Sequence, residues 1–383
     1  MRDLLPALVR GAPHHEFHIL LSGIYQKELL RSLPEQIRPV TVDAASAQLL
    51  RRLWFEQFEI IRIIRREGFD LLFTVNEVGT VRSPCAHVML ARNLSVYTTA
   101  PELGIRERIY LLGYRLTRGP VARAALRAAD LVVFVSDSFR RVVNARLALD
   151  PSRTRVVHHG VHAMFVQKVA AAKGSDDLLA AKSRKAAYLL TVSTVSAHKN
   201  FEVLLEGYAA ASRGIDSFPD LVIAGAITDR PLYMRLERQI LSLGVASQVH
   251  FVGRLPHDEL AALYRHAIAF VFPSRLETFG QPLLEAAASG LPIIASDLPA
   301  CREVCQDAAL YFAPGDSADL TLKILAVVKS EVEQERLRQL GLLRARNFTW
   351  DKTAARMIDI FEEAVARRRA ESVARSGTMK ALA

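Results

Sequence analysis

The stretch "SRLETFGQPLLEAAASGLPIIAS", residues 274–296, sets two carboxylates, Glu277 and Glu285, on either side of a helix start. Pro282 suits the first turn of a helix, where its missing N–H costs nothing. Gly290 suits the turn that ends the helix, with Pro292 beyond it. The segment therefore reads as loop, helix, tight turn and strand, the strand being "LPIIAS" (291–296). Just ahead, "IAFVFPS" (268–274) has the apolar run of another buried strand. Strand, helix, strand is the repeating unit of a parallel sheet covered by helices.

Working outward, the same rhythm continues. "YLLTVST" (188–194), "DLVIAG" (220–225), "VHFVG" (249–253) and "ALYFAP" (309–314) read as strands, and helical patterns fill the intervals. A similar alternation occupies the first half, with strands at "EFHILLS" (16–22), "DLLFTVN" (70–76), "HVMLA" (87–91), "LVVFVS" (131–136) and "TRVVHHGV" (154–161). Between the halves, residues 166–187 are rich in Ala and Lys and carry no strand signal. The expectation is an α/β protein of two doubly wound, Rossmann-like domains facing a cleft. The first covers 1–165 and is joined by a closing helix over 349–369; 166–187 is a linker; 188–348 is the second domain; 370–383 is a flexible tail. At the front, "LLPALVR" (4–10) reads as the end of a first helix. The N-terminal domain is therefore expected to lack its first strand.

Composition bounds the rest. At 383 residues the chain suits two domains, each with its own core. No apolar run approaches a membrane span, and Pro6 and Arg10 interrupt the apolar core that a signal peptide needs. A cytoplasmic protein is expected. Three cysteines, Cys85, Cys301 and Cys305, are too few and too odd in number for a disulfide framework. The formal net charge of +10 is carried mostly by arginine, and no nucleic-acid motif accompanies it. Arg106, Arg108, Arg115, Arg118, Arg123 and Arg127 crowd the helix at 105–127. Such a helix is a solvated face or a surface for anionic lipid. His158, His159 and His162 are read as strand and turn residues rather than metal ligands, and no metal is expected.

The two glutamates occupy different positions. Glu277 lies before the helix, and Glu285 about one turn inside it at roughly 1.5 Å rise per residue. The backbone amides around Thr278, Phe279, Gly280 and Gln281 belong to a helix N-terminus, which attracts phosphate through N–H groups and the helix dipole. A carboxylate such as Glu285 suits the paired hydroxyls of a ribose. Sugar at Glu277, diphosphate at the helix start and nucleoside at Glu285 is the layout for a nucleotide sugar.

Here the sequence resembles the retaining GT-B glycosyltransferases of family 4, also called group 1. Their signature is Glu, seven residues, Glu, a small-residue helix and a Gly-x-Pro turn, as in "FPSRLETFGQPLLEAAASGLPIIASD" (272–297). "VHFVGRLPHDELAALYRHA" before it, "CREVCQDAALYFAPGDSADL" after it and "FTWDKTAARMIDIFEEA" near the end follow the family in order. The resemblance implies that Glu277 contacts the transferred sugar and stabilises the reacting centre. It implies that Glu285 binds the ribose, that the backbone at Thr278, Phe279 and Gly280 binds the diphosphate, and that Lys199 is the phosphate-binding lysine. Ser193 stands where the family usually has a glycine, in the donor site. Asn93 stands near where a His or Asp often approaches the sugar, and it is the candidate second catalytic residue. The implied reaction moves a hexose from a UDP- or GDP-sugar to a glycan or lipid-linked acceptor hydroxyl, with retention and without a cofactor. Departures are the altered positions at Ser193 and His198 and the missing Gly-rich loop after the family's first strand. Two alternatives stay open: another GT-B nucleotide-sugar enzyme such as an epimerase, and a degenerate family member that only binds a partner.

Overall fold

The computed structural model describes residues 3–22, 34–42, 54–75, 79–93, 105–166 and 187–380. The expected linker at 166–187 therefore lies almost wholly outside the described residues. The chain divides into two compact units. Unit 1 is Met1–Thr99, Tyr110–Gly160 and Trp350–Ala383; unit 2 is Ala100–Ile109 and Val161–Thr349.

In unit 1, helix α1 (Leu4–Gly11) leads into β1 (Phe17–Ser22), which pairs in parallel with β2 (Ile37–Val42). A π-helical turn, Phe55–Glu59, runs into α2 (Ile60–Glu67), which stops at Gly68 in the left-handed region. A second parallel sheet has the order β3 (Leu71–Thr74), β4 (Ala86–Ala91), β5 (Leu131–Phe134) and β6 (Thr154–Val156). Every residue of β4 and β5 is buried, which explains their apolar composition, broken only by His87, whose ring hydrogen-bonds to the Thr74 hydroxyl at 3.0 Å. Helices α3 (Ile105–Thr117) and α4 (Gly119–Ala128) break at Gly119-Pro120, and α5 (Asp137–Leu147) follows β5. Ser136 caps α5 by accepting from the Phe139 N–H.

The C-terminal helix, Trp350–Lys380, packs on α1, β3 and β4, with Phe361 against Phe73 at 5.1 Å between ring centres. Arg155 and Glu363, 208 residues apart in sequence, form an ion pair that fastens this helix to β6. The helix extends to Lys380, past residue 370, where the sequence reading expected a flexible tail to begin. Residues 366–380 contain no proline, and the good helix formers Ala and Arg make up seven of the fifteen. Strand β2 is the element that the sequence reading missed. Its "IRPVTV" is broken by Arg38 and Pro39, and proline is tolerated in an edge strand.

Besides Ala100–Ile109, which includes the start of α3, unit 2 holds the short helix α6 (Ala163–Val166) and one six-stranded parallel sheet. From β7 (Tyr188–Val192) the chain winds through α7 (Phe201–Ser212), β8 (Asp220–Ala224), α8 (Arg230–Leu243) and β9 (Val249–Gly253). It then returns through α9 (His257–His266) to the other side of β7 with β10 (Ala269–Phe272) and α10 (Gln281–Ala288). The sequence continues with β11 (Ile293–Ser296), α11 (Pro299–Cys305), β12 (Ala309–Phe312), α12 (Ser317–Val328) and α13 (Glu331–Ala345). The strand order is β12-β11-β10-β7-β8-β9. The winding direction reverses between β7 and β10, so the loops leaving those two strands diverge and open a crevice at their carboxyl ends. Leu189, Phe201, Tyr208, Phe218, Val271 and Leu320 fill the core beneath it.

Candidate active site

Two loops meet at the switch point of unit 2. The first leaves β7 at Ser193. A Cβ on Gly225 would lie 1.9 Å from the Ser193 carbonyl oxygen, so the tips of β7 and β8 can approach this closely only with glycine there. The loop then makes a 3₁₀ turn at Ala197–Lys199 and enters α7 through Asn200, whose φ of 57° is left-handed. Asparagine is among the few side chains that adopt this conformation readily. The second loop leaves β10 through Ser274. It is tied to the first by the Arg275 N–H, which donates to the His198 carbonyl at 2.8 Å.

That tie brings Lys199 and Glu277 together, 78 residues apart in sequence. The Lys199 Nζ donates to Glu277 Oε2 at 2.8 Å, with side chains only 15% and 14% exposed. Burial alone would push the Glu277 carboxyl up. The Lys199 charge and hydrogen bond, with a further bond from the Thr278 N–H at 3.0 Å, outweigh it and hold Glu277 below the usual carboxylate range. Glu277 is thus an anion locked to a cation. His198 is driven down to about 4, first by burial and then by the Lys199 charge, and its imidazole is neutral near pH 7.

Helix α10 begins at Gly280, with φ 90°, where a Cβ would press on Leu283 Cδ1 at 2.9 Å. Pro282 occupies the first turn. Of the backbone groups expected to face a phosphate, that of Thr278 is engaged by Glu277. Phe279 is buried, and its ring meets Phe348 at 6.1 Å. Glu285 is not free to swing, because its Oε2 accepts from the Tyr264 hydroxyl at 3.1 Å. Burial, and then the charge and hydrogen bond of Glu285, raise the Tyr264 phenol well above its ordinary range. Tyr264 is therefore a donor near neutral pH.

The structure thus gathers Ser193, Lys199, Glu277, Thr278, Phe279, Gly280 and Glu285 on the loops and helix at one end of the unit 2 sheet. Asn93 is elsewhere in the chain, two residues past β4 in unit 1. The sequence reading did not anticipate the tethering of Glu285 by Tyr264 or the tie from Arg275 to His198. It also missed two buried polar groups beside the pair, the Asn200 amide and the Ser274 hydroxyl, which have no partner. The histidines set aside as metal ligands are engaged locally. The His158 carbonyl accepts from Thr353, His159 packs on the Trp350 ring, and His162 Nδ1 accepts from the Met164 N–H.

Residues 176–344 match the family "Glycosyl transferases group 1", and residues 1–164 match "Glycosyltransferase Family 4". The O-antigen chain mannosyltransferase B of Escherichia coli is 28% identical over 177 residues, 46% of this chain and 45% of that protein. The O-antigen chain mannosyltransferase RfbU of Salmonella typhimurium is 31% identical over 183 residues, 48% of this chain and 45% of that one. The chain therefore spans about half the length of the curated relatives it matches. Among solved structures, the sucrose-phosphate synthase of Thermosynechococcus elongatus superposes with a TM-score of 0.72 at 20% identity, over 96% of this chain and 92% of that chain. With each half matched in turn and the fold shared along nearly its whole length, the chain belongs to the group 1, family 4 glycosyltransferases of GT-B fold.

Proposed function

We propose that this chain transfers a hexose from a nucleoside diphosphate sugar to an acceptor hydroxyl, in the assembly of a polysaccharide or lipid-linked glycan. Mannose is the first sugar to test, because the relatives named above are mannosyltransferases. The observation that carries the reading is the Lys199–Glu277 pair at the switch point, beside the start of α10. Lys199 and the helix dipole offset the charge that grows on the diphosphate as it leaves, a task that a metal ion does in other enzymes. Glu277 holds the sugar hydroxyls and favours positive charge at the anomeric carbon. Glu285, oriented by Tyr264, accepts from the ribose.

Transfer is proposed to retain configuration. The bond from the anomeric carbon to the phosphate oxygen breaks, the acceptor oxygen bonds to the same face, and the acceptor proton passes to the leaving phosphate. Unit 1 is assigned the acceptor. A cytoplasmic location with a peripheral contact to anionic membrane is part of the proposal. Ile109, Leu112 and Leu116 stand exposed along α3 at helical spacing, and exposed Arg108 lies beside them. Among the described residues no helix is long and apolar enough to cross a membrane.

The test is calorimetric titration with UDP, GDP and ADP, with Glu285→Ala in parallel. One nucleotide is expected to bind, and to weaken about tenfold in the variant, which corresponds to roughly 1.4 kcal/mol. A folded chain that binds none of them would overturn the reading. Binding to anionic vesicles that is lost in high salt is the expected membrane result, and equal binding to neutral vesicles would refute that part.

A further inference from the structure

We propose that unit 1 carries a zinc-type transition-metal site formed by His14, His15 and Glu362. The two histidines occupy the turn between α1 and β1, and Glu362 lies on the C-terminal helix. One ligand atom from each can be chosen so that all three lie within 4.8 Å of one another. His15 Nε2 is already 3.4 Å from Glu362 Oε1. A tetrahedral zinc ion with bonds of about 2.0–2.1 Å separates its ligand atoms by about 3.4 Å, so this pair already has the spacing of one tetrahedron edge. The imidazole of His14 lies beside that of His15, with ring centres 4.3 Å apart. Closing the two edges to His14, each within 4.8 Å, needs shifts of an ångström or so, within the reach of exposed side chains.

The donor set selects the ion. Two imidazoles and one carboxylate suit zinc and its neighbours, whereas calcium and magnesium require oxygen ligands. All three side chains are exposed, so water completes the coordination. This is a different place from the nucleotide site, which is in unit 2.

The consequence is mechanical. Arg10 already pairs with Asp351 at 2.6 Å, but both groups are largely exposed, and such pairs hold weakly. A metal ion would fasten the same two segments, the end of α1 and the C-terminal helix, with directed bonds. Its binding would stabilise unit 1 by mass action, in proportion to the logarithm of free metal over Kd.

The test uses the full chain without an affinity tag, stripped by chelator and titrated with zinc chloride by calorimetry at neutral pH. Cobalt(II) serves as a spectroscopic substitute. One equivalent is expected to bind, with the melting midpoint of unit 1 raised by a few degrees at saturating zinc. His14→Ala, His15→Ala and Glu362→Gln are each expected to weaken binding at least tenfold. Circular dichroism checks that each variant folds, which surface positions favour, and nucleotide affinity in unit 2 is expected to stay unchanged in all three. Zinc affinity unaltered in any one of them, or no saturable binding by the parent chain, overturns the site.

Discussion

Replacing Lys199 with methionine removes one charge of a buried pair and leaves the other without a partner. The 2.8 Å contact between side chains about 15% exposed places this pair among those whose disruption costs about 3–5 kcal/mol. The cost must depend on pH, and its sign can be worked out. In the parent chain Glu277 is held below its unfolded value, so its contribution is present above the unfolded carboxylate pKa and fades as pH falls through the folded one. In Lys199→Met the burial that opposes the anion is left with the Thr278 N–H and the smaller effect of His198 against it, and the folded pKa moves upward. Protonation then relieves the variant in acid, and the penalty grows as pH rises past the unfolded carboxylate value. The loss is expected to be small near pH 4 and full near pH 8. Lys199→Met with Glu277→Gln should recover most of it. Both tryptophans, Trp54 and Trp350, belong to unit 1, so their fluorescence should barely respond. Urea melts followed by far-UV circular dichroism, with hydrogen exchange at the β7 and β10 amides, read unit 2 directly. A loss under about 1 kcal/mol at pH 8, or one independent of pH, would refute the reasoning.

Further outcomes are open to measurement. Gly225→Ala puts a Cβ 1.9 Å from the Ser193 oxygen and should abolish soluble unit 2 or destabilise it by more than about 3 kcal/mol, read by expression and urea melts. Tyr264→Phe removes the donor that orients Glu285 and should weaken nucleotide binding several-fold, with a stability loss of about 1–2 kcal/mol, read by calorimetry beside a melt. Burial pushes all three thiols up, Cys305 to about 12, so a thiol reagent at pH 8 should label the native chain only as it opens. Labelling of any thiol within seconds would count against this packing. Phe361→Ala should cost unit 1 about 3–5 kcal/mol, seen as an earlier transition by tryptophan fluorescence.

Much of unit 2 was legible because its signals are local. Pro282, Gly290 and the apolar runs of β10 and β11 each declare their element within a few residues. Lys199, Glu277 and Glu285 were legible as residues, but their partners were not. The bond from Lys199 to Glu277 crosses 78 residues and exists because β10 returns beside β7, a fact of topology rather than of pattern. Tyr264 lies on α9, and nothing in the sequence says that its hydroxyl reaches Glu285. Strand β2 was hidden because Pro39 belongs to the vocabulary of turns, and only its pairing with β1 makes it a strand.

The return of the last helix has a consequence for biosynthesis. Unit 1 lacks Phe361, Glu363 and Arg368 until unit 2 has been made; Arg368 donates to the Ser83 carbonyl and pairs with Asp130. Unit 2 is almost one continuous run, complete by Thr349. The usual order, in which the N-terminal domain matures first, is therefore inverted. The first half emerges from the ribosome with β3 and β4 still lacking the helix that packs on them. Unit 2 can fold ahead of it, and the synthesis of the helix from Trp350 to Lys380 is the event that completes the fold of the first half.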